Sequence, residues 1–357
     1  MMYGVIMAGG QGSRLRPLTL TRPKPMVEVL GRPVIDFVKD AMVEAGIDDL
    51  IVTTGYRGEQ LQKHVSAWPL QSMKTHSREI TARINQEDSP MGTAGSVRLL
   101  SDLLTETFVV GSGDSVASFD ISDLLAVHKQ SGAKVTMALW EVENPSDFGI
   151  VGLSAAHNGE LDGDLREGYI SRFKEKPSPE EAFSNVINAG LYIIEPEVLA
   201  LVPLGEKFDF SKQLFPMVLE MNWPMYAKTI DGVWFDVGNP MELLNAQSTL
   251  VKRMKELPFP MPNGTVLPGN GFCMDDAVIL GDVVSSVISS NCLVEENVKI
   301  SNSLLMSGCK VSSDSTISNS VLGQNVVIEN GAKLDNVVIG DNTVIAAKTN
   351  ISDQRIP

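Results

Sequence analysis

The sequence predicts two architectures in one chain: an α/β region with a mixed, mostly parallel sheet covered by helices on both faces, then a parallel β-helix. Three observations carry this. Through about residue 250, short apolar runs alternate with amphipathic stretches, the pattern of a sheet whose crossovers are helices. Pro258, Pro260, Pro262 and Pro268 then crowd one stretch, where proline ends helix and stiffens extended chain. Beyond them a six-residue aliphatic period sets in, which marks a β-helix. The expected boundaries are 1–250 for the α/β domain, 251–268 for a linker and 269–357 for the β-helix. The 357 residues suffice for two cores.

Taken in order, Tyr3–Met7 reads as a buried first strand. Pro33–Ala45 places Val34, Phe37, Val38, Ala41, Met42 and Ala45 on one face of a helix, with Gly46 as its stop. Asp49–Thr54, Thr107–Gly111 and Lys134–Glu141 read as strands, and Asp120–Gln130 as a second helix. In the last region Ile288, Val294 and Ile300 are six apart. So are Leu305, Val311 and Ile317, then Leu322, Ile328 and Leu334, then Ile339, Ile345 and Ile351, each triplet 17 residues after the last. Three hexads make one triangular coil with its aliphatics inward, and steps of six, six and five leave one corner a residue short. Residues 271–283 give a weaker first coil, with Ala277 and Val283 in phase.

Composition excludes several classes. Apolar residues make up 43% and charged residues 20%, ordinary for a soluble globular chain. No apolar run reaches the ~18–20 residues that span a bilayer, so no membrane partner is expected. The first residues lack a basic segment and a cleavage site, which makes the cytoplasm the expected location. A net charge of −15 argues against a nucleic-acid partner, which needs a basic face. Cys273, Cys292 and Cys309 show no paired spacing, so neither a zinc site nor a disulfide framework is expected.

Five strings carry candidate chemistry. Ala8-Gly9-Gly10-Gln11-Gly12-Ser13-Arg14-Leu15-Arg16-Pro17-Leu18-Thr19, then Pro23-Lys24-Pro25, follows the first strand. Its glycines let backbone N–H groups approach phosphate oxygens, and Arg14 and Lys24 supply cations for a triphosphate. The glycine spacing is not a dinucleotide fingerprint, and no Gly-Lys-Ser/Thr follows. Phe108-Val109-Val110-Gly111-Ser112-Gly113-Asp114 ends a strand on a carboxylate, where an open α/β sheet has its ligand crevice; read alone, Asp114 is more often a helix cap or turn residue. Gly232-Val233-Trp234-Phe235-Asp236-Val237-Gly238 reads alone as a strand and turn. Phe173-Lys174-Glu175-Lys176-Pro177 reads alone as a solvated charged loop. Glu87-Asp88-Ser89-Pro90-Met91-Gly92-Thr93-Ala94-Gly95 is the fifth.

The full string from Gly9 to Pro25 resembles the N-terminal signature of the sugar-phosphate nucleotidylyltransferases, and the similarity covers nearly the whole chain. The resemblance implies a Rossmann-like sheet of the nucleotide-diphospho-sugar transferase type and a left-handed β-helix of the hexapeptide-repeat family. It implies that Gly9, Gly10, Gly12, Ser13, Glu87, Gly92 and Thr93 bind the nucleotide, and that Arg14, Lys24, Asp114 and Asp236 are catalytic. Asp114 and Asp236 would hold Mg²⁺, which prefers hard oxygen ligands; Ser112 stands where the family often has Asn. Glu-Lys-Pro is similar to the family's sugar-phosphate motif, so Lys176 would hold the phosphate and Glu175 the sugar hydroxyls. Phe148-Gly149-Ile150-Val151 and Asn188-Ala189-Gly190-Leu191-Tyr192 match further stretches, which makes Asn188 and the Gly149 backbone sugar contacts. Gly-Thr-Ala-Gly at 92–95, Leu214-Phe215-Pro216-Met217 and Gly238-Asn239-Pro240 look most like the mannose-1-phosphate guanylyltransferase branch. Glu87 stands where thymidylyl- and uridylyl-type members carry Gln, with Gln86 adjacent. A carboxylate only accepts hydrogen bonds, which suits the paired N1–H and N2–H₂ donors of guanine.

The implied reaction is in-line attack of a sugar 1-phosphate on the α-phosphorus of an NTP, GTP and mannose 1-phosphate being favoured, with pyrophosphate leaving. It needs positioning and charge neutralisation, not a protein nucleophile; His64, His76, His128 and His157 fall in no motif. One alternative is thymidylyl or uridylyl transfer to glucose 1-phosphate. Acyltransfer by the β-helix is disfavoured, since that region has no histidine. A non-catalytic regulatory paralogue is the third, against which Arg14, Lys24, Asp114, Lys176 and Asp236 are all present. A stacked repeat exposes an end, and a homo-oligomer is expected.

Overall fold

The computed structural model describes residues 2–55, 58–257 and 261–357. Their contacts form two compact units, one spanning residues 2–9 and 37–234, the other residues 10–36 and 235–357.

The first unit holds a nine-stranded sheet. Its strands are β1 (Tyr3–Met7), β2 (Asp49–Thr54), β3 (Thr81–Gln86), β4 (Phe108–Ser112), β5 (Val135–Glu141), β6 (Gly149–Ser154), β7 (Glu167–Glu175), β8 (Val186–Ile194) and β9 (Met225–Thr229). They lie in the order β3-β2-β1-β4-β8-β5-β9-β7-β6. The first four are mutually parallel. β8 is antiparallel to β4 and β5, and β7 is antiparallel to β9 and β6. β9 runs parallel to β5, so only β7 and β8 oppose the common direction. Both faces are covered. Val5, Ile51 and Val110 pack with Ala94 and Val97 of the helix Gly92–Arg98. One residue on, where the strand presents its other face, Gly111 lies against Val38 and Met42 of the helix Ile35–Glu44. A Cβ on Gly111 would stand 2.5 Å from Val38 Cγ2, so glycine lets that helix reach the sheet.

The strands Tyr3–Met7 and Asp49–Thr54 stand as read from sequence, and those expected from Thr107 and Lys134 begin one residue later. The helix expected over 33–45 is Ile35–Glu44, and the one expected from Asp120 is Ile121–Ser131. Asp120 is its N-cap, accepting the Asp123 N–H at 2.9 Å. A cap has non-helical backbone, hence the offset.

In the second unit the C-terminal region winds into three stacks of parallel strands, the arrangement of a left-handed β-helix. Ile288, Leu305, Leu322 and Ile339 stand in register on one stack. Val294, Val311, Ile328 and Ile345 do so on the second, and Ile300, Ile317, Leu334 and Ile351 on the third. All but the half-buried Ile351 are buried in one core. The first coil departs from the expected phase. Val283 pairs with Ile300, but Ile279, not Ala277, pairs with Val294. Cys273 stands opposite Ile288, so this coil is shorter and a fixed 17-residue step lands two residues early. Corners are turned by residues at positive φ, among them Ser285, Asn302, Asn319, Asn336 and Asp353. Apart from glycine, Asn and Asp tolerate this backbone best.

The helix Pro240–Arg253, capped by Asn239, extends three residues into the expected linker, and Gly264–Leu267 pairs as a strand with Gly271–Met274. Pro258 and Pro260 lie outside the described residues. The three cysteines are free and buried. No helix among the described residues is long and apolar enough to cross a membrane.

Candidate active site

In the second unit the Gly-rich string turns sharply at Gly12, whose φ is 61°. The Gly12 carbonyl accepts from Leu15 N–H at 3.0 Å and from Thr19 Oγ1 at 2.7 Å. A Cβ here would lie 2.8 Å from Lys24 Cβ, so both the backbone angle and the close approach of Lys24 require glycine. The one-turn helix Ser13–Leu15 buries Leu15 and leaves Ser13 and Arg14 exposed. Lys24, between Pro23 and Pro25, is buried. Its Nζ stands 2.8 Å from Asp236 Oδ1, and Arg14 Nη2 lies 3.6 Å from Asp236 Oδ2. One carboxylate thus meets two cations. The ammonium is fixed in place, while the Arg14 side chain is 60% exposed and able to meet an incoming anion.

In the first unit the remaining residues cluster at strand ends. Gly113 N–H donates to the Met7 carbonyl at 2.9 Å, which sets Asp114 beside the C-terminal ends of both β4 and β1. Ser112 Oγ donates to Asp114 Oδ1 at 2.5 Å, so the serine that departs from the family pattern orients the carboxylate. Glu87 follows β3, is buried, and accepts the Met91 N–H on Oε2 at 3.2 Å. The neighbouring Gln86 turns its amide to the Gly55 carbonyl. Gly92, at φ 74°, lets Ala94 and Gly95 N–H reach the Phe208 carbonyl, each at 3.0 Å. Thr93 Oγ1 donates to Asp209 Oδ2 at 3.0 Å and accepts from Phe210 N–H at 2.9 Å.

Glu175 and Gly149 stand opposite each other on β7 and β6. A Cβ on Gly149 would come 2.8 Å from Glu175 Oε2. Burial, then the charge of Asp209, raises the Glu175 carboxyl above its ordinary range, against Lys176 and Lys212. Lys176 is exposed at φ 46°, its N–H bonded to the Phe148 carbonyl at 2.9 Å. Left-handed backbone at a lysine is a strained conformation of the kind that gathers at functional sites. Lys174, in the same motif, pairs with Glu181 at 2.9 Å. Asn188 Nδ2 donates to Tyr192 Oη at 2.8 Å and to Ser211 Oγ at 3.3 Å.

The structure thus brings together Arg14, Lys24 and Asp236 in one unit, and Thr93, Glu175 and Asn188 around Asp209 and Ser211 in the other. Asp209 and Ser211 escaped the sequence reading. Asp209 accepts from Ser211 and Lys212 N–H, and a helix-capping Asp is too common to single out. Among the described residues, no group of three or more His, Cys, Asp or Glu gathers as a metal cluster.

A family model described as nucleotidyl transferase matches residues 3–253, the range that holds every residue above. A second, described as GlmU-like, C-terminal hexapeptide, matches residues 268–355. The chain is 33% identical over 297 residues to the mannose-1-phosphate guanylyltransferase catalytic subunit beta of Danio rerio, covering 82% of this chain and 74% of that one. It is 33% identical over 275 residues to the mannose-1-phosphate guanyltransferase of Saccharomyces cerevisiae, covering 75% and 70%. With its paired cations in the Gly-rich segment and a hexapeptide β-helix behind it, the chain belongs to the nucleotidyl transferase family.

Proposed function

We propose that this nucleotidyltransferase joins GTP to mannose 1-phosphate, releasing GDP-mannose and pyrophosphate. The observation that carries nucleotidyl transfer is the Lys24–Asp236–Arg14 arrangement, a preorganised positive charge beside a loop open to phosphate. A phosphate oxygen of the sugar attacks the α-phosphorus in line, and the bond to the bridging oxygen of pyrophosphate breaks. Arg14 neutralises charge that grows on the transferring and leaving groups, and buried Lys24 does so without reorganising. The backbone at Gly9, Gly10, Gly12 and Ser13 takes the triphosphate. Lys176 offsets repulsion between the two substrates, while Glu175, Asn188 and the Gly149 backbone orient the sugar. Asp114 and Asp236 are each hard-oxygen donors of the kind Mg²⁺ takes, and a bound ion would add charge neutralisation on the triphosphate.

The substrate pair is supported by the names of the relatives and by Glu87, an acceptor-only side chain of the kind a base with adjacent donors would pair with. Pyrophosphate release measured for GTP, UTP, dTTP and ATP with mannose or glucose 1-phosphate tests it. GTP with mannose 1-phosphate should be fastest, and Glu87→Gln should lower GTP use relative to UTP by roughly tenfold, the worth of one hydrogen bond to a charged group. A faster reaction with UTP or dTTP would overturn the pair, and turnover of no pair would favour a non-catalytic binding protein.

A further inference from the structure

Within the second unit, successive coils of the β-helix grip the segment that carries Arg14 and Lys24. Ser307, Gln324 and Asp341 recur every 17 residues at one corner. Ser307 Oγ donates to Glu28 Oε2 at 3.3 Å, and Gln324 Nε2 donates to Glu28 Oε1. One coil further on, Asp341 Oδ2 accepts from Thr21 Oγ1 and from Arg22 Nη2, both at 2.5 Å. On the last coil Arg355 Nη1 donates to the carbonyls of Arg14 at 2.7 Å and Arg16 at 3.1 Å. The contacts move down the segment from residue 28 to residue 14 as the coils advance.

Arg355 closes on the two carbonyls that flank buried Leu15, at the end of a one-turn helix whose own bonding leaves carbonyls to be satisfied. Hydrogen bonds from a guanidinium are charge-assisted and directional. They fix the backbone from which the Arg14 side chain springs. That side chain is mostly exposed, and its 3.6 Å approach to Asp236 restrains it weakly.

We propose that Arg355 is a positioning residue for nucleotidyl transfer, so that the last coil of the β-helix forms part of the triphosphate half of the site through the backbone of Arg14. This role rests on the reading of the Gly-rich segment as the triphosphate loop. Misplacing a catalytic group by about 1 Å can cost up to ~100-fold in rate, and loss of one anchor should fall short of that.

Steady-state kinetics in both directions test it, on full-length wild type, Arg355→Ala, Arg355→Lys, Arg14→Ala and the Arg14→Ala/Arg355→Ala pair, with melting temperatures alongside. Arg355→Ala should lower kcat/KM for the NTP, and for pyrophosphate in reverse, by roughly tenfold. The KM for sugar 1-phosphate should hold, and so should the melting temperature, because Arg355 is exposed. Arg355→Lys should recover part of the loss. In the Arg14→Ala background, removing Arg355 should cost little more, the non-additivity of groups acting through one another. Full activity in Arg355→Ala beside an impaired Arg14→Ala overturns the positioning role alone. Additive losses, or a fall in every parameter together with the melting temperature, also overturn it. Full activity in Arg14→Ala overturns the triphosphate reading beneath it.

Discussion

Asp236 receives a buried ammonium on one oxygen and an exposed guanidinium on the other, and the two cations differ in what they can do. Lys24 is locked, so its charge is a fixed part of the field, whereas Arg14 can follow a substrate. The sequence singles out both because they stand beside a glycine turn, where phosphate chemistry would ask for cations. It does not single out Asp209, since its part depends on which side chains the fold brings round it. Asp209 also perturbs Glu175. In the pH window between the ordinary carboxylate value and the raised one, folded Glu175 binds its proton more tightly than the unfolded chain does. Its contribution to stability therefore falls as pH rises through that window. On the proposed sugar-binding role, activity should move the opposite way, because sugar hydroxyls would donate to the ionised form. The kcat/KM for sugar 1-phosphate should thus rise with pH along a limb above the ordinary Glu value of about 4.3, and Glu175→Gln should remove that limb. A pH–rate profile measures this, and a limb that persists in Glu175→Gln would exclude Glu175 as its source.

At the level of elements, the repeat was the most legible part. The twelve aliphatic positions of the β-helix were readable because a narrow core admits one residue class at each inward step. Ala277 misled because the first coil is shortened while remaining apolar. β3, β6, β7, β8 and β9 were not read as strands, and of these β7 and β8 break their own period. Register shifts between Ile170 and Arg172 on β7 and between Asn188 and Tyr192 on β8. Bulges re-aim side chains beside active sites, and these two strands carry Glu175 and Asn188. The feature that hid them from a two-residue pattern is tied to the residues they present. The β-helix core itself should be graded along its axis. Ile328→Ala, in a fully buried mid-stack position, should destabilise by about 2–5 kcal/mol. Ile351→Ala, half-buried on the last coil, should cost clearly less. Urea denaturation of the two variants checks the order, and equal losses would contradict a graded core.

Across the whole molecule, the linear order of the chain differs from the order of its contacts. The texture of the sequence changes between residue 250 and the first coil at Gly271, but residues 10–36 pack with the C-terminal region. No composition signal could reveal this, because Arg22 and Glu28 find their partners some 280–320 residues away. Arg22 and Asp341 are 7% and 8% exposed, so the pair joins the two ends of the chain where water screens it little. A buried pair adds modest stability against an apolar replacement, yet removing one member leaves an uncompensated charge at a cost of about 3–5 kcal/mol. Asp341→Ala should therefore lower unfolding stability by that order. Arg22→Met combined with Asp341→Leu, which leaves no charge buried, should recover most of the loss. Chemical denaturation of the single and double variants measures both. A neutral Asp341→Ala would mean the ion pair does not hold the N-terminal segment to the coils, while a double variant as unstable as the single would mean that packing at this corner, not charge, sets the cost.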